Sequence, residues 1–509
     1  MSGPRVLTGS LGGSPLSRAA RAGALPQWYR DAPRGVEAWR AYGRTVADSV
    51  SPRWFEHLHD AIAPTGRAAE RLLRSANGNG LVVTTGQQPG LFGGPLMSLV
   101  KAISARSIAD VLQETLGVPV APVFWAATDD ADFDEASVVS IALDGGAREL
   151  RLQPRAPAGT PMARVPIGED VTVLGDLLRD ACGSAPHASY LAATLRAYQP
   201  GATVGDAYVT LLRQILEPLE IAVLDASHAS VWNAARPLLQ RAMSKAEALV
   251  AALRHRGEQI TGGGFAPQVD EVPGLSLVFL NSGVVKSRLS LQAAASGATL
   301  DDHQFLSATV LLRPVVERAI LPSAAYVAGP GEVAYFAQVS AVAETLDVAS
   351  PLVLPRWSAG IIEPRVQRIL DELGIASEEL PLDTLDGRVA REKLPLDTDR
   401  ALRALRADMA NDIDALQAAN DGIVPPAVVD GLRRGLEHRL MRVERRFIAG
   451  VKRRETELMR KVATARGALH PFGARQERKL AYVPFLARYG PSLLGELVDA
   501  ATVHARAIV

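Results

Sequence analysis

LVVTTGQQPGLFGGPLMSLVKAISARSIADVLQETLGVPVAPVFWAATDDADFDE spans Leu81 to Glu135. The apolar run Leu81 to Thr85 breaks into a turn containing Gly86, Gly90, Gly93 and Gly94. A helical pattern follows from about Pro95 to Leu116, and a second apolar run, Val118 to Thr128, ends in Asp129, Asp130, Asp132, Asp134 and Glu135. Strand, glycine turn, helix, strand is the βαβ unit of a parallel sheet, in which ligands sit at the carboxyl ends of strands. Both the glycine turn and the acidic cluster fall at such ends.

The glycine turn is neither GxGxxG nor a P-loop. Glycines still permit close approach of a ligand to the backbone, and the N–H groups opening the next helix favour an anion. Gln87 and Gln88 are placed to hydrogen-bond a polar ligand or to cap local backbone. Leu96, Leu99, Val100 and Ile103 mark the buried face of the helix, so Lys101 is expected in solvent. Carboxylates crowded after a buried strand repel one another unless solvated or neutralised. They suit Mg²⁺, a substrate amine or general-base work, or else an acidic surface loop with N-cap duties. Asp129, Asp130 and Asp132 lie nearest the strand end, with Asp130 and Asp132 the candidate Mg²⁺ ligands.

A second unit repeats this layout. Ala324 to Ala328 is apolar, Gly329-Pro330-Gly331-Glu332 is a tight turn, Val333 to Leu346 is helical, and Ser350 to Leu354 is a buried strand. Arg313, Gly329, Gly331, Glu332 and Arg356 fall at strand ends or turns, where an arginine pairs with carboxylate or phosphate or forms a structural ion pair.

Around these units the chain reads as a loose lead-in to about Pro26 and mostly helix from Trp28 to Leu73. Further helices are expected at Val171 to Cys182, Ser189 to Ala197 and Ala207 to Leu216. One long helix is expected from Ser230 to Arg256, a hairpin from Ser276 to Arg288, and a helix start at Asp301 to Leu306. Beyond Val366, Leu402, Leu405, Met409, Ile413 and Leu416 recur at steps of three and four, as do Leu432, Leu436, Leu440, Val443, Phe447 and Val451. Two long helices around Asn420-Asp421-Gly422 predict an antiparallel, coiled-coil-like arm of the kind used for dimerisation. Its arginines alternate with Glu437, Glu444, Glu455 and Glu457, as on a solvated, ion-paired face. The expected domains are a core over residues 1–365 with inserted elements at about 140–320, the arm over 366–468, and a segment over 469–509 folding back onto the core.

The 509 residues allow roughly two to four domains. A formal net charge of zero argues against a general nucleic-acid or anionic-membrane binder. The single cysteine, Cys182, excludes an internal disulfide and a thiolate metal cluster and suits a reducing cytosol. There is no signal-peptide core, and no apolar run approaches the roughly 18 residues of a membrane span. A cytoplasmic protein is expected. No HExxH, GxSxG or zinc spacing appears.

Five segments carry a family resemblance: TGQQPGLFGGPL (Thr85 to Leu96), PVFWAATDDADFDE (Pro122 to Glu135), LRPVVERAILPSAAYVAGPGEVAYFAQ (Leu312 to Gln338), PLVLPRWSAGIIE (Pro351 to Glu363) and QER (Gln476 to Arg478). In this order the chain resembles the cysteine-adding enzymes of bacillithiol biosynthesis, the BshC cysteine ligases. The resemblance implies an α/β protein with a Rossmann-like parallel-sheet core, inserted elements and a coiled-coil arm that forms a homodimer. It implies amide formation between cysteine and glucosaminyl-malate. Because a free carboxylate needs activation, ATP and Mg²⁺ are expected, on chemical grounds and not from a motif. Asp130, Asp132 and Arg313 are the candidate catalytic residues. Gly86, Gln87, Gln88, Gly90, Gly93, Gly94, Asp129, Gly329, Gly331, Glu332 and Arg356 are the candidate binding residues. The family pattern has a histidine where this chain has Ala131. Two alternatives stay open: a non-catalytic nucleotide- or sugar-binding dimer, and a ligase on this scaffold with another amino acid or amine acceptor.

Overall fold

The computed structural model describes residues 3–297 and 304–509. The lead-in is more ordered than its composition suggests, with a strand at Arg5–Thr8 and a helix at Pro15–Arg21. Helices Val36–Asp48, Trp54–Ile62 and Gly66–Asn77 follow. The elements that frame the site are, in chain order, β1 (Leu81–Gln87), α1 (Leu96–Leu116), β2 (Val120–Ala126), β3 (Ala222–Asp225), β4 (Leu275–Asn281), β5 (Lys286–Ser290), β6 (Phe305–Ala308), α2 (Arg313–Ile320), β7 (Ser323–Ala328), α3 (Pro330–Thr345), β8 (Val353–Pro355), α4 (Leu396–Ala418), α5 (Pro426–Arg454) and α6 (Val483–Ile508).

The central sheet is parallel throughout, in the order β8-β7-β1-β2-β3. Leu81 pairs with Val120 and Gln87 with Ala126, while on the other side Val82 pairs with Ser323 and Thr84 with Tyr326. Parallel strands covered on both faces read as near-continuous apolar runs, and every residue of β2 and β7 is buried. The chain winds outward from β1 through β2 to β3, returns to β7, and winds the opposite way to β8. That reversal opens a crevice beyond the carboxyl ends of β1 and β7.

Helix α1 is stopped by Gly117, whose φ of 72° suits glycine. From Leu96 to Ala109 it is largely buried on every face, as a helix without a dominant polar face should be, and Gln113 and Glu114 are exposed near its end. One side faces the sheet. On the other, the Ser107 hydroxyl donates to the Val498 carbonyl of α6 at 3.4 Å, and Thr502 donates to Ser107 at 3.3 Å. The solvent position expected for Lys101 is wrong: its side chain is 3% exposed.

Three inserted elements differ from expectation. The region Ser230 to Arg256 is two helices, Ala229–Ser244 and Ala246–Gly262, broken at Lys245. The hairpin β4–β5 gains a third strand, β6, in the order β5-β4-β6. Phe305 and Leu306 are thus strand where a helix was expected, because Phe305 pairs with Asn281 and Leu306 with Leu280. Asp301, Asp302 and His303 of that expected helix lie outside the described residues.

The chain divides into two compact units. The first comprises residues up to Ile141, Arg148–Ile361 and Gln476–Val509; the second comprises Ala142–Ala147 and Ile362–Arg475. In the second, α4 and α5 form the helical hairpin, with Leu402, Ile413, Val429 and Leu440 buried and Arg406 paired with Glu444 at 2.8 Å. Among the described residues no helix is long and apolar enough to cross a membrane.

The burial of α1 around Ala105 has a measurable consequence. Ala105→Leu barely changes helix propensity, yet Ala105 is fully buried. Overpacking should cost about 1–3 kcal/mol, read as a lower urea midpoint at unchanged m-value.

Candidate functional site

A cleft of about 550 Å³ lies over the crevice, lined by residues from β1, β2, α1, the inserted sheet, α2, the α3 turn and Arg478. That size suits a small polar ligand.

At the end of β1, Gly86, Gln87 and Gln88 line the cleft. A Cβ on Gly86 would sit 3.3 Å from the Trp125 carbonyl oxygen and 3.5 Å from the Arg313 guanidinium, so the tight neighbour of this glycine is the β2 backbone. Gly90, Gly93 and Gly94 do not line the cleft, contrary to expectation. They shape the turn against tyrosines. Tyr198 accepts from the Gly93 N–H at 3.1 Å and donates to the Gly90 carbonyl at 2.6 Å, and a Cβ on Gly93 would collide with the Tyr482 hydroxyl. The N-terminus of α1 is engaged as well, since the Leu96 N–H donates to the Leu480 carbonyl at 2.8 Å. Of the N–H groups that open α1, that of Leu96 is thus taken by protein.

The acidic cluster divides. Asp129 and Asp130 line the cleft. The Lys286 ammonium donates to the Asp129 carbonyl at 2.9 Å and to its carboxylate at 3.1 Å. Asp130 accepts from the Gln88 amide and, at 2.6 Å, from the Ala131 N–H. Asp132 faces away from the expected role: it is exposed and caps the short helix Phe133–Ala136, accepting from the Glu135 N–H at 3.0 Å. Among the described residues, no group of three or more histidine, cysteine, aspartate or glutamate side chains could hold a metal ion. Of the Asp130–Asp132 pair expected to hold Mg²⁺, only Asp130 lines the cleft.

On the opposite wall, Arg313 donates to Glu317 at 2.8 Å and to the Tyr326 hydroxyl at 2.9 Å. Gly329, Gly331 and Glu332 open α3, and all three line the cleft. Glu332 accepts from the Gly329 N–H at 2.7 Å, the Tyr326 hydroxyl at 2.6 Å and the Lys101 ammonium at 2.6 Å. Burial works against its charge, yet Lys101, Tyr326 and the Gly329 N–H hold its carboxyl below the usual glutamate range. Burial pulls the Lys101 ammonium below the usual lysine range, with Glu332 opposing.

Arg356 does not reach a ligand. It is 1% exposed and paired bidentately with Glu477, at 2.9 and 2.7 Å. The pair sits behind the α3 turn: a Cβ on Gly329 would lie 3.7 Å from Arg356 Nε. Gln476 adds to this support by bonding both the N–H and the carbonyl of Ile361, at 2.7 and 2.8 Å.

The cleft also holds Lys101, Lys286, Arg288 and Arg478, none of which the sequence reading placed there. Lys286 and Arg288 come from the inserted hairpin, with Lys286 over the Phe279 ring at 4.7 Å. Arg478 comes from the tail. The only signal for it was its place in the QER segment. Beyond the Lys101–Glu332, Lys286–Asp129 and Arg313–Glu317 pairs, the cleft presents Arg288 and Arg478 together with Asp130; the two guanidinium groups suit carboxylate or phosphate.

An open parallel sheet with a cleft at its reversal point defines a Rossmann-like architecture, and the chain carries a helical hairpin unit besides. The description "Bacillithiol biosynthesis BshC, N-terminal Rossmann-like domain" belongs to a family model matching residues 53–357, and "Bacillithiol biosynthesis BshC, C-terminal coiled-coil domain" to one matching residues 359–507. The chain is 32% identical over 454 residues to a protein of Koribacter versatilis named "Putative cysteine ligase BshC", covering 85% of this chain and 83% of that one. A relative of the same name from Solibacter usitatus is 28% identical over 496 residues, covering 93% and 92%. The chain belongs to the bacillithiol biosynthesis BshC family.

Burial pushes the Glu477 carboxyl up, but Arg356 and the Ala359 N–H outweigh it and hold the group below its usual value of 4.5. A lowered folded value stabilises above the unfolded value, and that contribution fades as pH falls through the folded one. Glu477→Gln should therefore cost about 3–5 kcal/mol near neutral pH. The gap to wild type should narrow in urea titrations carried out at progressively lower pH.

Proposed function

We propose that this chain is a cytosolic ligase of bacillithiol biosynthesis, joining the carboxyl of cysteine to the amine of glucosaminyl-malate through an amide bond. Family membership supports this reading. The observation that carries it is the pairing, within one cleft, of Asp129 and Asp130 at the end of β2 with Arg288, Arg313 and Arg478. Carboxylates there suit an incoming amine, and guanidinium groups suit the carboxylates or phosphates of its partners.

The expected co-substrate is ATP with Mg²⁺, which would supply a leaving group on the cysteine carboxylate. With Asp129 held by Lys286 and no group of three or more candidate metal-binding side chains among the described residues, the donor set fits an ion carried in on phosphate oxygens better than a cage of protein ligands. With the Gly329 N–H taken by Glu332, Gly331 is the glycine left in the first turn of α3 whose backbone N–H would favour an anion. Arg288, Arg313 and Arg478 would hold anionic oxygens. Asp130 would take the proton that the amine nitrogen loses as it attacks the carboxyl carbon. Fixed charges and orientation would supply the rest.

The test is to incubate the full chain with ATP, Mg²⁺, cysteine and glucosaminyl-malate and to look for the coupled thiol by mass spectrometry. Asp130→Asn should lower kcat by roughly 10²–10⁴, and Arg478→Ala should raise KM with kcat little changed. One observation favours a second reading, a non-catalytic binder: Ala131 lines the cleft where the family pattern has a histidine. Ligand binding without product would select that reading. Product formed only with another amino acid or amine would select a ligase of different specificity.

We also propose a homodimer through the helical unit. Leu405, Leu416, Leu432, Val443 and Phe447 repeat at seam spacing yet are between 42% and 54% exposed in the single chain. A second copy would bury them. Phe447→Glu should convert a dimer to a monomer by light scattering with the circular dichroism unchanged, and a monomeric wild-type protein would count against the arrangement.

A further inference from the structure

The sheet poses a mechanical problem at the site. The β1–β7 ladder ends where Thr84 pairs with Tyr326, while the Thr85 hydroxyl still reaches the Val327 carbonyl at 2.8 Å. Past that point the two strand ends lead into separate turns, and both turns line the cleft. Backbone hydrogen bonds no longer set their spacing.

Lys101 and Glu332 bridge this gap. The Lys101 ammonium donates to the Gly86 carbonyl at 2.7 Å, to Gln87 Oε1 at 3.1 Å and to the Glu332 carboxylate at 2.6 Å. Three protons meet three acceptors, so the group has no proton left for a ligand. Glu332 in turn holds the Gly329 N–H and the Tyr326 hydroxyl, and Tyr326 accepts from Arg313. A continuous polar chain thus runs from the end of β1 through α1 and the α3 turn to a cleft arginine.

We propose that Lys101 and Glu332 are positioning residues that hold the β1 and β7 turns at a fixed spacing, so that the cleft is preformed for its ligand. The proposal rests on the reading that this cleft is the substrate site, and its test separates the two. Lys101→Met, Glu332→Gln and the double variant are compared with wild type by thermal melting, hydrogen exchange without ligand, and turnover. Lys101→Met strands a buried carboxylate and should lower Tm. Adding Glu332→Gln removes that charge and should recover most of Tm.

A role confined to charge balance predicts that the double variant also regains wild-type exchange. Positioning predicts instead that Thr84–Phe92 and Val327–Tyr335 exchange about tenfold faster in the double variant. It also predicts a KM for glucosaminyl-malate raised by roughly tenfold or more. Wild-type exchange rates in both segments of the double variant would overturn the proposal. If the Lys101 variants do not fold, Gln87→Ala removes one acceptor from a half-buried side chain. The same segments should then exchange faster at unchanged Tm, and unchanged exchange counts against positioning. Absence of ligase activity in wild type would overturn the functional reading and leave the exchange result standing as the test of the brace.

Discussion

Where β1 and β7 part, the parallel ladder can no longer set the geometry, because its two chains leave for opposite edges of the sheet. Everything at the cleft depends on how that parting is held. Gly86 and Gln87 stay paired with β2, and Val327 and Ala328 with β8, but between the two strand ends no ladder continues, so other hydrogen bonds must hold them to one another. Lys101 supplies them from one side through Gly86, Gln87 and Glu332. Tyr198 supplies them to the turn beyond β1 through Gly90 and Gly93.

Buried charge underlies much of this support. Lys101–Glu332, Arg313–Glu317 and Arg356–Glu477 are all close pairs with little exposure. Such pairs carry a desolvation penalty that their attraction does not always offset, and they are weak evidence for stability. Their geometry is nonetheless restrictive. Each glutamate accepts from defined donors, so each fixes the direction of the turn or helix it belongs to. Glu477 receives Arg356, Ser358 and the Ala359 N–H together. A tail residue thereby sets the backbone behind a turn formed nearly 150 residues earlier in the chain.

The βαβ unit at Leu81 to Glu135 was legible because its signals are local: two apolar runs, glycines between them and a helical period. The second unit at Ala324 to Leu354 was legible for the same reason. Lys101 was misread because the less apolar face of a helix need not meet water: the end of β1 and the α3 turn cover this side chain through Gly86, Gln87 and Glu332. Phe305 was misread because its strand exists only by pairing with Asn281. Asp132 and Arg356 have the right chemistry for a site, but Asp132 serves the local N-cap that its spacing also allowed, and Arg356 is engaged by Glu477, a neighbour that sequence spacing does not reveal.

The sequence alone determined the class of the fold, the position of the glycine turns at strand ends, the two helices of the hairpin and, through long matching segments, the family. These follow from hydrophobic period and turn chemistry, which act over a few residues. Tertiary structure decided which charges face the cleft. Lys286 and Arg288 arrive from an inserted hairpin, Arg478 from the tail, and Lys101 from a helix covered on both sides. Whether a charged side chain meets solvent, a ligand or a buried partner depends on elements far away in the chain, and local spacing carries no record of them.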